Sequence, residues 1–379
     1  MKKAVVILPT YNEEGNVATL IDAIFKVSSK ITNWQIEVLV VDSNSKDQTA
    51  KIIKKKIEQY PDKLHIIETE KEGLGKAYVK GFRYALENLR PYVIFEMDAD
   101  WSHNPEEIPF LLKKIELGAD LVIGSRYMKG GSIPKNWGFH RKLFSVFGNL
   151  IVRVGFMRFK INEWTNGYRA IKSWVVKQLL TEVAQYSGYV FQVAFIDKAI
   201  NHGANIQHIP CKFSDRKKGL SKINSFQYIF QTLSYVFTHS SFIKFVIVGL
   251  TGFFIDFGFA YIFINSVRFP KAPANMLSAE MAIICNFLLN NFWSFKHKKI
   301  SGGFSYLIKF LSFNFVSLGA IIIQGVGIAA SLWIFGDSKI NLFGILSIQS
   351  WMIYKVFLIA FLVVPYSYIL YNKVVWKEK

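Results

Sequence analysis

Residues 245–264 form an apolar run interrupted only by Asp256. A bilayer's hydrocarbon core is about 30 Å thick, and roughly 20 apolar residues in a helix cross it. Water is absent there, so such a segment must satisfy its own backbone polar groups, which a helix does. Similar segments recur further on, so residues 240–379 are expected to fold as an all-α four-helix transmembrane domain, with spans at about 245–265, 274–295, 307–335 and 351–371. Asp256, Glu280, Asn286, Asn290, Asn291 and Asn314 lie in or near these spans. Such groups should face the bundle interior, and hydrogen bonding between helices is the preferred reading over a transport path. Lys244, Lys296, Lys298, Lys299, Lys309, Lys373, Lys377 and Lys379 flank one side; Arg268, Lys271 and Lys339 with Asp337 flank the other. That excess assigns the first side, and both termini, to the cytosol.

The N-terminal part has a different period. Short apolar runs at 4–8, 36–41, 64–68 and 92–95 alternate with helical patterns at 16–27, 49–60 and 73–89. Strands alternating with helices imply an α/β fold, a mostly parallel sheet with helices on both faces. Ligands bind at the C-terminal strand ends of such sheets. Glu13, Asp42, Asp98 and Asp100 all fall there. Asp98 and Asp100 offer hard oxygens suited to Mg²⁺ or Mn²⁺, ions that bridge substrate phosphates; taken alone, the pair is equally consistent with a solvated acidic turn. Neither G-x-G-x-x-G nor G-x-x-x-x-G-K-[ST] occurs, which disfavours a dinucleotide or P-loop site. Cys211 and Cys285 match no metal spacing. Pro9 stops the first apolar run short of a signal peptide, so this part is expected in the cytosol.

The formal charge of +19 is concentrated in the middle of the chain: residues 125–222 hold 17 Lys/Arg against 4 Asp/Glu. That imbalance calls for an anionic partner such as a lipid phosphate or a membrane surface. No nucleic-acid module is visible, so nucleic acid is excluded as a partner. Within 139–159, Leu143, Phe147, Leu150 and Val154 recur at helical spacing beside Arg141, Lys142, Arg153 and Arg158. The pattern is that of a basic amphipathic helix lying in a membrane interface. A second interface helix, with a neutral polar face, is expected at 223–239.

Five motifs occur in order: Pro9-Thr10-Tyr11-Asn12-Glu13, Val41-Asp42-Ser43-Asn44-Ser45, Gly73-Leu74-Gly75, Met97-Asp98-Ala99-Asp100 and Gly124-Ser125-Arg126-Tyr127. Together they resemble the inverting glycosyltransferase family 2, in its dolichyl-phosphate mannosyltransferase branch, over residues 1–222. The resemblance implies a GT-A-type, Rossmann-like nucleotide-sugar domain. It implies that Pro9, Tyr11, Glu13 and Asp42 line the nucleobase and ribose, and that Gly75, Ala99, Arg126 and Arg216 complete the nucleotide-sugar site with Asp98 and Asp100. The metal would rest on Asp98, Asp100 and Ser102; many relatives carry Gln at the Ser102 position, and His103 follows it. The lipid phosphate would be held by Arg126, Arg141, Ser145, Arg216 and Lys222, the last two in a stretch similar to the branch's acceptor loop. Asp100, Arg126 and Glu163 form the implied catalytic set. Glu163 is given an orienting role, because a phosphate acceptor is already anionic and needs no general base (second pKa ~6 for a phosphomonoester). Lys244 to Gly249 and Asn286-Phe287-x-x-Asn290-Asn291-x-Trp293-x-Phe295 resemble a GtrA-like membrane domain.

The implied reaction is inverting transfer of mannose from GDP-mannose to dolichyl (polyprenyl) phosphate at the cytosolic membrane face. The implied partners are those two substrates, the bilayer, and a second copy of the chain through the membrane domain. Two alternatives stand beside it: a UDP-glucose-dependent polyprenyl-phosphate glucosyltransferase, and a lipid-linked sugar transport or binding protein. No residue distinguishes guanine from uracil, or mannose from glucose, by physical argument alone.

Overall fold

Nearly continuous apolar sequence makes β1 (Lys2–Thr10) and β2 (Trp34–Asp42) central strands, buried on both faces. They pair in parallel, with Leu8 opposite Val40 and Thr10 opposite Asp42. The computed structural model describes residues 1–134, 137–215, 225–300, 302–336, 338–342 and 346–377. The remaining strands of the main sheet are β3 (Leu64–Glu68), β4 (Val93–Glu96), β5 (Leu121–Ser125), β6 (Arg169–Lys172) and β7 (Ile206–Pro210). Their order is β3-β2-β1-β4-β6-β5-β7. Only β6 runs antiparallel, between β4 and β5. This reversal interrupts the parallel run between β4 and β5, whose C-terminal ends carry the site.

Helices α1 (Val17–Ser28), α2 (Thr49–Gln59), α3 (Leu74–Tyr84) and α4 (Ile108–Glu116) connect the first five strands. The apolar side of α1 (Leu20, Ile21, Ile24) packs with Leu8, Val38, Val40 and Phe95 in one continuous core. Elements expected up to residue 100 appear within a few residues of their sequence positions. Asn104 caps the turn before α4 by accepting a hydrogen bond from the Glu106 amide, with Pro105 next in line. Then come α5 (Phe139–Gly155), α6 (Ser173–Val183), α7 (Val190–Asn201) and α8 (Ser225–His239). On α5, Phe139 is 77% exposed, Phe144 58% and Phe147 51%; Phe230 on α8 is 66% exposed. An ordinary core-facing helix would bury these rings.

The chain divides into two compact units, Met1–Val236 and Phe237–Lys379. The second contains α9 (Ser241–Tyr261), α10 (Lys271–Leu289), α11 (Gly303–Phe335), α12 (Ser350–Leu358) and α13 (Val364–Leu370). A π-helical turn, Ile359–Val363, joins α12 to α13. Among the described residues, three helical segments are long and apolar enough to cross a membrane: Ser241–Ser266, Gly303–Phe335 and Ile353–Val375. The fourth expected span, 274–295, is also helical, as α10 and the π turn Asn290–Ser294. A short antiparallel hairpin, β8 (Lys339–Leu342) with β9 (Leu346–Gln349), stands between α11 and α12, where the all-helical expectation has none.

Polar side chains here bridge helices. The Ser278 hydroxyl donates to the Asp256 carboxylate at 2.6 Å, tying α10 to α9. Asn291 donates to the Tyr306 hydroxyl. Its carbonyl accepts from the Ile300 amide at 2.8 Å and the Trp376 indole at 3.1 Å. Asn291→Leu should therefore lower the thermal midpoint in detergent by several degrees, since each orphaned donor costs about 1–3 kcal/mol. Asn265→Leu, at an exposed site, should change stability by no more than ~0.5 kcal/mol. Equal midpoints for the two variants would remove Asn291 from its bridging role.

Candidate active site

A cleft of about 440 Å³ opens where β1, β4 and β5 end. Pro9, Tyr11, Glu13, Asp98, Ala99, Asp100, Ser102, Arg126, Arg141 and Ser145 all line it, so ten of the sequence-selected residues converge.

The acidic turn after β4 is built around His103. The Asp98 amide can only donate, and it donates to His103 Nδ1 at 3.0 Å. Nδ1 therefore carries a lone pair and Nε2 carries the proton. Nε2 donates to Asn166 Oδ1 at 2.9 Å, and Asn166 Nδ2 donates to the Gly124 carbonyl at 2.7 Å. The ring also stacks on Tyr168, with centroids 4.8 Å apart. His103 is wholly buried and both its nitrogens are engaged, so it is a strut and offers no lone pair to a metal. Trp101 takes a left-handed φ of 69°, which reverses the chain between Asp100 and Ser102. The Ser102 amide donates to Asp100 Oδ1 at 3.0 Å. The Ser102 hydroxyl is buried without a hydrogen-bond partner. Two carboxylates and an unmatched hydroxyl make a hard-oxygen donor set, which fits Mg²⁺ or Mn²⁺. No group of three or more His, Cys, Asp or Glu is placed to hold a metal ion among the described residues.

Arg126 points a guanidinium along the opposite wall. Glu163 grips it in two places, accepting from Nε at 2.9 Å and Nη2 at 3.0 Å. Thr165 accepts from Nη2 at 2.7 Å and donates to Glu163 at 2.8 Å. Burial would raise the Glu163 carboxyl, but the Arg126 charge and these hydrogen bonds outweigh it and hold it below the usual range. The same partner raises Arg126 against the opposing effect of burial. Glu163 is wholly buried and does not line the cleft. It fixes the direction of Arg126.

Two other expected binding residues stand behind the wall. The Asp42 carboxylate accepts from Thr10 Oγ1 at 2.9 Å, the Ser45 amide at 2.9 Å and Ser45 Oγ at 2.6 Å. It shapes the loops at the ends of β1 and β2. Those loops are also joined by the Asn12 amide on Ser45 Oγ (2.9 Å) and the Lys46 amide on Asn12 Oδ1 (2.8 Å). Gly75 is a packing glycine, since a Cβ there would lie 2.8 Å from Phe191 Cβ. Arg141 stacks over Trp137 at 4.0 Å and pairs with Asp215 at 3.6 Å; Ser145 hydrogen-bonds the Tyr127 hydroxyl. Arg216 and Lys222 lie outside the described residues.

Lys71, Trp137, Gln192 and Tyr228 also line the cleft, and sequence reading passes them over. Lys71 sits 3.7 Å from the Tyr11 ring centroid, a cation–π contact across a sequence gap that no local pattern reveals.

Residues 5–174 match the family model described as glycosyl transferase family 2, and residues 244–376 match the GtrA/DPMS transmembrane domain. A dolichol-phosphate mannosyltransferase from Pyrococcus furiosus is 32% identical over 315 residues, covering 81% of this chain and 85% of the relative. A polyprenol monophosphomannose synthase from Mycolicibacterium smegmatis is 36% identical over 225 residues, 59% of this chain and 82% of the relative. A solved structure of glucosyl-3-phosphoglycerate synthase from Mycobacterium tuberculosis, in complex with Mn²⁺ and uridine-diphosphate-glucose, is 19% identical at a TM-score of 0.45, covering 62% of this chain and 78% of that one. A mixed sheet of this kind is the fold of a GT-A-type glycosyltransferase. The chain belongs to glycosyltransferase family 2, and it carries a GtrA/DPMS transmembrane domain.

Glu163→Gln keeps the size of the side chain but leaves Arg126 charged and unpaired in a buried site. Breaking such a pair costs about 3–5 kcal/mol. The variant should unfold at a lower temperature and lose at least ~10-fold in sugar-transfer kcat/KM, a change equivalent to about 1.4 kcal/mol. Unchanged melting and unchanged kinetics would show that the pair positions nothing.

Proposed function

We propose that the chain transfers mannose from GDP-mannose to a dolichyl or polyprenyl phosphate, with inversion at the anomeric carbon, on the cytosolic face of the membrane. One observation carries the reading: a single cleft joins the Asp98/Asp100 floor to apolar side chains of α5 and α8, namely Phe144, Ile151, Ile229 and Leu233. A charged sugar nucleotide fits the first end and an isoprenoid chain the second. The names of the relatives support mannose as the sugar and a lipid phosphate as the acceptor.

The acceptor phosphate oxygen attacks the anomeric carbon from the side opposite the diphosphate. One C–O bond forms while the other breaks, and its electron pair leaves on the diphosphate. The acceptor is already anionic near neutral pH, so no general base is required. Arg126 and Arg141, with Arg216 and Lys222 from the acceptor loop, hold the phosphate in line; Glu163 and Thr165 keep Arg126 in that direction. Asp98, Asp100 and Ser102 would hold a divalent cation. When bound, it offsets negative charge on the departing nucleotide. The exposed rings of α5 and α8 lie in the membrane interface on this reading, with both chain termini cytosolic and the 274–295 helix as the fourth span. A homo-oligomer would form through the membrane domain. Transport finds no support from Asp256, whose carboxylate is engaged by Ser278.

The test is a donor screen with purified protein, polyprenyl phosphate and either GDP-mannose or UDP-glucose, with product stereochemistry read by NMR. A β-linked mannosyl phosphate is expected, and preference for UDP-glucose overturns the donor assignment. Chelation should abolish transfer and Mg²⁺ or Mn²⁺ should restore it. Asp100→Asn should lower kcat at least ~100-fold, about 2.7 kcal/mol of barrier; wild-type turnover at saturating metal would sink the metal site.

A further inference from the structure

Gln192, on α7, is 1% exposed, yet it lines the cleft. Neither its Oε1 nor its Nε2 has a hydrogen-bond partner. Among the described residues it is the one lining side chain with both ends of its polar group unmatched. It approaches the buried Glu96 carboxylate closely enough to favour that group's ionised form, without reaching hydrogen-bond geometry. Its backbone is well held: Arg169 Nη2 donates to the Gln192 carbonyl at 3.0 Å, and the Gln192 amide donates to the Tyr189 carbonyl at 3.1 Å. The unmatched amide therefore sits on a fixed support.

Gly167 shows where the amide lies. A Cβ built there would stand 3.1 Å from Gln192 Nε2 and 3.8 Å from Asp98 Oδ1. The amide and the first carboxylate of the acidic turn border the same small space, kept open by the absence of a side chain at 167. We propose that Gln192 is a specificity-determining residue that reads hydroxyl groups of the transferred hexose. This rests on the reading that a nucleotide sugar occupies the cleft with its diphosphate at Asp98.

The chemistry favours a neutral polyol over an anion. A primary amide offers two donors and an acceptor with two lone pairs, and a sugar hydroxyl both donates and accepts. A phosphate would leave the amide oxygen opposed. An unmatched buried amide is unfavourable in the empty site, and the sugar relieves it. Gly167 and Gln192 are thus linked parts of one pocket, one supplying the space and the other the recognition.

The test uses the full-length protein in lipid, with GDP-mannose, its monodeoxy analogues, and GDP as a competitive inhibitor. Gln192→Met replaces the amide by an apolar group of similar length. It should melt at the same temperature or higher and bind GDP as the wild type does, yet lose on the order of 10- to 100-fold in kcat/KM for GDP-mannose. At one or more ring positions, the wild-type penalty for a deoxy donor should collapse in the variant. Gln192→Met with unchanged kcat/KM, or with every deoxy penalty preserved, overturns the proposal. Equal loss of GDP affinity, melting temperature and turnover would overturn it too, by showing a structural role. If the wild type uses UDP-glucose instead, the donor assignment above fails separately, and the same comparison with deoxyglucosyl donors still decides the role of Gln192.

Discussion

A backbone amide in an acidic turn has one use for a histidine, as an acceptor, and that single hydrogen bond governs the site. Once Asp98 donates to Nδ1, the proton must be on Nε2, and Asn166 receives it. Asn166 in turn reaches the Gly124 carbonyl at the end of β5. The turn after β4, the end of β5 and the segment before β6 are thereby fixed to one another through one imidazole and one carboxamide. Protonating both ring nitrogens would set N–H against N–H at Asp98. The turn that carries the two carboxylates thus depends on a singly protonated ring, stacked and sealed from solvent by Tyr168 and Phe213.

Two buried ion pairs flank this strut and differ in kind. Arg126 and Glu163 meet in a fork with matched hydrogen bonds, so both stay charged despite burial. Arg169 and Glu96 are 3.7 Å apart without such bonds. Burial pushes Glu96 up to about 7, and the arginine only partly offsets it. The guanidinium of Arg169 is spent on the carbonyls of Trp164, Asn166 and Gln192. It binds the segment before β6 to the start of α7, which places Thr165, Asn166, Gly167 and Gln192 around one space. The first pair directs a cation along the cleft wall, and the second holds the framework behind it.

Strand and helix positions were legible because apolar periodicity is local, and buried parallel strands such as β1 and β2 carry it strongly. The convergence of Glu13, Asp98 and Asp100 was legible because strand ends of a parallel sheet meet by topology. The antiparallel insertion of β6 was not, since Arg169-Ala170-Ile171-Lys172 is too short to reveal its direction. What Asp42 and Gly75 touch within the fold was hidden for another reason: the bonds from Thr10 and Ser45 to Asp42, and the closeness of Phe191 to Gly75, leave no mark in the local sequence pattern. His103, beside two aspartates, reads in sequence as a hydrogen-bonded side chain before it reads as a ligand, and the structure supplies its partners. Gln192 has no sequence signal, because its significance is the lack of any partner in space.

The apolar rings left outward on α5 and α8 have a kinetic consequence on the proposed reading. An enzyme that meets its acceptor at the membrane boundary responds to the acceptor's mole fraction among lipids, and its molarity in the suspension loses meaning. Diluting the membrane with inert lipid at constant total acceptor would slow turnover. Adding buffer to the same vesicles would leave the surface density, and so the encounter rate, unchanged.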